Sequence, residues 1–447
     1  MEKNAIIVGA GLVGSLWAVY LAKAGYKVTI YERRPDIRKA EISAGKSINL
    51  ALSTRGWKAL KEAGVDKSIE PITIPMHGRM MHDQEGNQTF QPYGKEGQAI
   101  YSVSRGELNA RMMDIAEKEG KAKILYSRKC IDVELDEGIV YVENTETGEI
   151  EKGQADVVFA ADGAFSAVRY NGLQKLDRFD YMQDYIDDGY RELLLPANDD
   201  GSYKLDKNAL HIWPRGRFML IALPNEDGSF TCTLFMPFEG ENSFSQLNTD
   251  EAVDRFFKET FPDFYQMFPQ LLDSWHGHPL SSLAIIRCYP WTKGKVALMG
   301  DAAHATVPFY GQGMNAGFED CTVMSELMKK HKENWSVVFD EYQKIRKPDG
   351  DAVQDLSIHN YHVMRDYVAD PTFLLQKKIE NRFSTKHPDK WMPLYSQVSF
   401  SSIPYSEAWK KGMEQEAIMK KIMNRPDIES VWDSQEIEDE LLRLITT

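Results

Sequence analysis

The chain has 447 residues, and 53 Lys and Arg against 67 Asp and Glu leave a formal net charge of −14. With 43% hydrophobic and 27% charged residues the composition is globular, and at roughly 150 residues per domain the length allows two or three domains. The acidic balance excludes a broadly basic nucleic-acid binder, and four scattered cysteines (Cys130, Cys232, Cys288, Cys321) without a C-x-x-C exclude a disulfide framework and the common zinc spacings.

The first segment, Ala5–Ala22 (AIIVGAGLVGSLWAVYLA), carries no charge and approaches the minimum length of a membrane span. Only Glu2 and Lys3 are charged before it, so a positive signal n-region is lacking. Three glycines at fixed spacing read instead as a strand, a tight turn and a buried helix. The charged end SQEIEDELLRLITT does not suit a bilayer either, so a soluble, cytoplasmic protein without a membrane span is expected.

In chain order, the pattern predicts a strand at Ala5–Val8, a turn at Gly9–Gly14, a helix over Leu12–Ala24 and a strand at Lys27–Tyr31 ended by Glu32. A helix near Thr54–Ala63, a Pro-punctuated stretch around Pro71–Pro92 and a helix over Arg105–Glu119 follow. Asp156–Arg169 (DVVFAADGAFSAVR) reads as a strand, a turn and a helix start, with or without a ligand. From about Arg178 to Pro279, alternating runs broken by Pro, Gly and Asn read as antiparallel strands. An apolar strand returns at Lys295–Gly300, a helix follows over Gly313–Lys330, and the chain beyond Trp335 is mainly helical.

Two motifs carry chemistry. Gly9-x-Gly11-x-x-Gly14 lies between a strand and a helix: the first glycine permits the turn, the second the approach of a pyrophosphate, the third close helix–strand packing. Glu32, at the end of the second strand, can accept from ribose hydroxyls, and the helix N-terminus favours phosphate. This much fits NAD or FAD alike. Gly300-Asp301 then ends an apolar strand and leads into AAHATVPFYGQGMNAGFEDC. An Asp there suits ribityl hydroxyls. Gly311 and Gly313 bring backbone N–H groups near a ring, and a helix N-terminus at Met314 suits the N1–C2=O edge of a flavin. His359 and His362 are spaced i, i+3 but lack a convergent carboxylate, so no metal site is expected.

These motifs, in this order, resemble the class A flavin monooxygenases of the p-hydroxybenzoate hydroxylase type. GKSINLALSTRG (Gly45–Gly56), RMMH (Arg79–His82), PYG (Pro92–Gly94), SVSRGELN (Ser102–Asn109), PFYGQGMNAGFEDC (Pro308–Cys321) and PLYSQVSFS (Pro393–Ser401) resemble the kynurenine 3-monooxygenase family. The resemblance implies an α/β fold: a Rossmann-like FAD-binding domain with a β-rich substrate domain and a helical C-terminal region. The expected division is residues 1–177 (with a substrate-domain excursion near 71–95), 178–279, 280–334 and 335–447. It further implies FAD contacts at Val13, Tyr31, Glu32, Arg33, Arg34, Ala51, Arg105, Cys130, Ala167, Asp301, Met314 and Asn315, those at Cys130 and Ala167 through backbone. Arg79, Tyr93, Asn360 and Tyr395 would bind the amino-acid end of L-kynurenine, where an arginine fork suits a carboxylate. Phe309 and Tyr310 would wall the ring pocket. The implied activity is hydroxylation of L-kynurenine to 3-hydroxy-L-kynurenine with NADPH and O2 through a C4a-hydroperoxyflavin, with no catalytic side chain required. A related hydroxylase of another aromatic acid is the alternative, and a non-enzymatic protein retaining the FAD fold is a second.

Overall fold

A computed structural model of the chain describes residues 3–39, 49–367 and 370–445. Residues 45–48 of the Gly45–Gly56 motif lie outside the described residues.

Short, largely apolar runs form the first sheet. Lys3–Val8 lies between Tyr26–Tyr31 and Val157–Ala160, with Val296–Leu298 beyond the latter and Lys123–Leu125 beyond the former, every one of these pairings parallel. Strands covered on both faces read as continuous Ile, Val and Ala rather than as alternation, which is why AIIV, VVFA and VAL occur here. The helix Leu12–Lys23 is buried along most of its length and packs against the helices Arg105–Lys118 and Gly313–Lys330. Its apolar run from Gly14 to Leu21 therefore reflects a helix enclosed by the elements around it. No helix among the described residues is long and apolar enough to cross a membrane.

A seven-stranded sheet forms the second body, in the order Ser281–Tyr289, Asp180–Leu195, Phe230–Pro237, Met219–Pro224, Ala209–Pro214, Gly78–His82, Gln88–Pro92. Only Ala209–Pro214 and Gly78–His82 run parallel; the latter strand comes from the Pro-punctuated stretch far upstream. One face of this sheet presents Trp213, Leu220, Cys232 and Leu234 to Val253, Phe257, Phe264 and Trp275. The other presents Met81, Ile212, Met219, Phe235 and Ile285 to Val307, Phe309 and Tyr361. The sheet is thus a partition with the flavin-motif loop on one side.

Residues 250–277 depart from the expected strand pattern and form helices at Asp250–Thr260, Pro262–Met267 and Leu271–Gly277. Thr249 caps the first, its hydroxyl accepting from Ala252 N–H, and Asp250 and Glu251 favour the helix N-terminus. Val253, Phe257, Phe261 and Phe264 then recur at helical spacing and bury together. Period overrode the surrounding β texture. Beyond Trp335–His362, further helices form a separate core that includes Ile379, Phe383, Met419, Ile422 and Leu441.

Candidate flavin and substrate site

At the glycine turn the structure distinguishes the three glycines. Gly9 has φ +101° and a Cβ there would lie 2.5 Å from the Ala161 carbonyl oxygen. A Cβ on Gly14 would lie 2.1 Å from the Gly9 carbonyl oxygen, so this glycine lets the helix sit on the strand. A Cβ on Gly11 would meet only the Ala161 oxygen, at 4.0 Å. The protein itself leaves that space open. No side chain caps the helix starting at Leu12, so its first-turn N–H groups face the opening unclaimed among the described residues.

Glu32 closes one side of this opening. Its Oε2 accepts from Ala10 N–H at 2.8 Å, and Oε1 accepts from the Arg34 backbone N–H and Nε at 3.0 and 2.8 Å. Burial would raise its carboxyl, but Arg34 outweighs that and holds it below the ordinary range, ionised and able to accept again. Arg33 is exposed, and the buried Tyr31 hydroxyl lies against Gly153, so that side chain packs away from the turn. Cys130 is buried, its thiol pushed up to about 12 by desolvation and its Sγ directed at the Asp132 carbonyl. Arg105 is exposed at the start of its helix and makes no hydrogen bond or ion pair among the described residues.

The second half of the cradle is brought in by the sheet. Gly300 has φ +58°, and its added Cβ would lie 2.9 Å from Val13 Cγ2, while Gly317 faces the same methyl at 2.6 Å. Val13 therefore spends its side chain on packing, leaving its backbone to the turn. Asp301 is half-buried and pairs with no side chain among the described residues. Asp162 Oδ2 accepts from Ala167 N–H at 2.7 Å, while its Oδ1 is buried without a partner. Arg169 donates to the carbonyls of Ala302 and Ala164, each at 2.6 Å, tying the Asp162-Gly163 turn to the Gly300-Asp301 turn. The helix Gly313–Lys330 begins without a side-chain cap or an acidic residue in its first turn, at Gly313 and the buried Met314. Asn315 is fully buried and works inward: Oδ1 accepts from Ser53 N–H at 2.9 Å, and Nδ2 donates to the Ala51 and Gly311 carbonyls, each at 2.8 Å. Its side chain positions Ala51 and the loop. Open space at Gly11, two uncapped helix ends, ionised Glu32, unpaired Asp301 and the free Asp162 oxygen together fit FAD.

Sequence reasoning missed the buried charges beneath this cradle. Asp320 accepts from Gly300 N–H at 2.8 Å, from His304 Nε2 at 2.7 Å and from Arg346 Nε at 2.8 Å. Burial opposes ionisation, but His304 and Arg346 hold the carboxyl down at about 2. Arg346 also pairs with Glu319 and Asp349, and Glu319 reaches Arg55 at 2.6 Å. The available signal was two adjacent acids on a helix otherwise buried by apolar residues.

The aromatic cluster lies across the loop. Tyr93 and Tyr395 stack at 4.9 Å and 11°, and Tyr395 stacks in turn on Tyr310 at 5.5 Å and 16°. The Arg79 guanidinium sits 5.0 Å from the Tyr395 ring centroid and 5.6 Å from that of Tyr93. Arg79 Nε and Tyr93 Oη are both buried without a hydrogen-bond partner. Burial pushes the Tyr93 and Tyr310 phenols well above the ordinary tyrosine value, so both stay neutral and able to donate. Asn360 Nδ2 donates to the Phe309 carbonyl at 2.6 Å, beside the Tyr310 that stacks on Tyr395. Phe309 stacks on Tyr361 at 4.0 Å and 22°, a partner the sequence did not single out.

Residues 2–357 match the family described as an FAD binding domain, and the chain belongs to that family. The tetrameric 2-methyl-3-hydroxypyridine-5-carboxylic acid oxygenase shares the fold, with a TM-score of 0.66 at 19% identity over 85% of this chain and 97% of that one. A kynurenine 3-monooxygenase of Flavobacterium johnsoniae is 51% identical over 440 residues, 98% of each chain. One from Sus scrofa is 43% identical over 422 residues, 94% of this chain and 87% of its own. Within the flavin hydroxylases, the chain is a member of the kynurenine 3-monooxygenase family.

Proposed function

We propose that this protein is an FAD-dependent monooxygenase of the cytoplasm that converts L-kynurenine to 3-hydroxy-L-kynurenine with NADPH and O2. FAD, when bound, takes electrons from NADPH and delivers one oxygen atom of O2 to the substrate ring. The protein's own work is binding and orientation. The first-turn N–H groups after Gly11 meet the pyrophosphate, Glu32 the ribose, Asp301 the ribityl chain, and the N–H groups at Gly313 and Met314 the flavin edge, where they stabilise negative charge. Arg33, Arg34, Ala51, Arg105, Cys130 and Ala167 complete the proposed cofactor set, with Asn315 holding the loop.

The observation that carries the substrate reading is the unpartnered Arg79 Nε and Tyr93 Oη, buried beside the stacked Tyr395. Two donors without acceptors, one of them cationic, call for an anionic acceptor from outside, and a carboxylate supplies it. Tyr310 links this anchor to the flavin-motif loop, so an amino acid held by its carboxylate would direct its aromatic end toward the flavin, with Phe309 as a wall. The ring amine of kynurenine donates electron density to the adjacent carbon, so the ring attacks oxygen without help from a catalytic base. The packed aromatic walls keep water from a ring held between them.

Purified protein should be yellow and should oxidise NADPH faster when L-kynurenine is added, with a product one oxygen atom heavier by mass. Stimulation by a different aromatic acid and not by kynurenine would move the assignment to another hydroxylase; a colourless protein would remove the flavin reading.

A further inference from the structure

We infer that the buried Asp188–Arg365 pair is a positioning device for Phe309, acting through the ring of Tyr361, and that it holds the wall against which the substrate ring rests.

Phe309 is gripped twice by the end of one helix. Asn360, in the last turn of Trp335–His362, donates Nδ2–H to the Phe309 carbonyl at 2.6 Å and fixes its backbone. Tyr361, the next residue, stacks on the Phe309 ring at 4.0 Å and 22°, and Phe235 meets that ring from the sheet at 4.9 Å and 60°. The ring grip is only as firm as Tyr361 itself. The Tyr361 hydroxyl is buried without a hydrogen-bond partner among the described residues, so it does not tether the ring. Burial and the neighbouring Asp188 push that phenol up, which keeps it neutral. Arg365, one helical turn on, packs on the ring instead, its guanidinium 4.8 Å from the Tyr361 centroid. Arg365 in turn lies 3.8 Å from Asp188 Oδ2, with both side chains buried, and its Nη2 lies 3.4 Å from His362 Nδ1.

Two irregularities of the backbone converge on this pair. The strand Asp180–Leu195 loses its register with Ser281–Tyr289 between Tyr185 and Gly189, and Asp188 stands in that interruption. The helix Trp335–His362 passes directly into a π turn over Val363–Tyr367, and Arg365 stands in its middle. Each departure gives up regular hydrogen bonding and re-aims the side chains it carries. Together they bring a carboxylate from the strand to a guanidinium from the helix. A buried carboxylate and guanidinium are stable as a pair, because removal of one leaves the other uncompensated. The pair therefore fixes the helix end against the sheet, and Tyr361 with it. Loss of the charge frees the Tyr361 and Phe309 rings, while the Asn360 bond still holds the Phe309 backbone. The positioning stands on this packing alone; its consequence for substrate rests on Phe309 as the ring wall of the proposed function.

Full-length protein labelled with fluorophenylalanine, with the Phe309 resonance assigned by Phe309→Leu, should give one sharp Phe309 signal. In Asp188→Asn, which keeps the size and removes the charge, that signal should shift or broaden, and Tyr361→Leu should do the same. Tyr361→Phe keeps the ring and should restore the native signal. Asp188→Asn and Tyr361→Leu should also raise the kynurenine KM about fivefold, the scale of one aromatic contact. They should at least double the share of NADPH electrons that end on O2 as hydrogen peroxide, with FAD content native. Arg365→Gln added to Asp188→Asn should do no further harm, because the two charges act as a unit. A native Phe309 signal in folded Asp188→Asn overturns the positioning role. A changed signal with native KM and native peroxide yield overturns its consequence for substrate. If Asp188→Asn does not fold, Arg365→Gln alone is read by the same measures and overturns the role in the same way. If no aromatic acid stimulates NADPH oxidation by the native enzyme, the proposed function fails, while the fluorine signal still tests the hold on Phe309.

Discussion

Around Gly9–Gly14 the protein offers backbone: open space at Gly11, uncapped N–H groups and a turn edged by the Glu32 carboxylate on Ala10 N–H. Around Arg79 it offers side chains, with Arg79, Tyr93, Tyr310 and Tyr395 arriving from three distant stretches of chain. A backbone site depends on what is missing, so it fails when atoms are added. A side-chain site depends on what has been collected, so it fails when atoms are removed. The first is coupled to the fold through the same glycines; the second can be emptied while the core stays intact.

The largest effect tests the first half of this contrast. Gly11→Val adds atoms where the protein has none, so the chain should fold with native circular dichroism yet purify without flavin. Gly14→Ala places its methyl against the Gly9 carbonyl and should destabilise the protein itself, by at least the ~1–3 kcal/mol of an overpacked core. Stoichiometric FAD in Gly11→Val would show that the opening is not the pyrophosphate site. Equal stability of Gly14→Ala and the native chain in urea would contradict the packing.

Truncating the other site should leave flavin in place. Arg79→Ala should raise the kynurenine KM by two to three decades, the ~3–5 kcal/mol of a broken buried charge pair, with FAD content unchanged. Arg79→Lys should recover only part, because a point charge does not reproduce the planar fork. Steady-state kinetics with the decarboxylated analogue supplies the control: it should be a poor substrate that loses little more on Arg79→Ala. Equal damage to both compounds would mean that Arg79 does not read the carboxylate.

A smaller effect sharpens the link between cradle and core. Asp320 is lowered from 3.8 to about 2, so the stability it contributes is present above about pH 4 and is lost as pH falls toward 2. The shift corresponds to roughly 2 kcal/mol. Unfolding followed across this window should show that loss in the native chain and a flatter profile in Asp320→Asn. Identical profiles would place the acid sensitivity elsewhere.

The sequence by itself determined the parts whose physics is local. A glycine pattern between a strand and a helix, an acid closing the next strand, and an Asp at the end of a third apolar strand each state their requirement within a few residues. The family's flavin motifs are legible for the same reason. At 250–277 even the local signal was misread, because helical spacing of phenylalanines was taken with the β texture around it. Only the tertiary structure decided which side chains face one another across long separations. It turned Asn315 inward to Ala51 and Ser53, gave Val13 to packing against Gly300 and Gly317, and set Asn360 on the Phe309 carbonyl. It also assembled the buried charges of Asp320 with Arg346 and set His82 Nδ1 on Asp263. A charge leaves no periodic trace in a sequence. Whether it is stable in the interior depends on a partner that the fold brings from far along the chain.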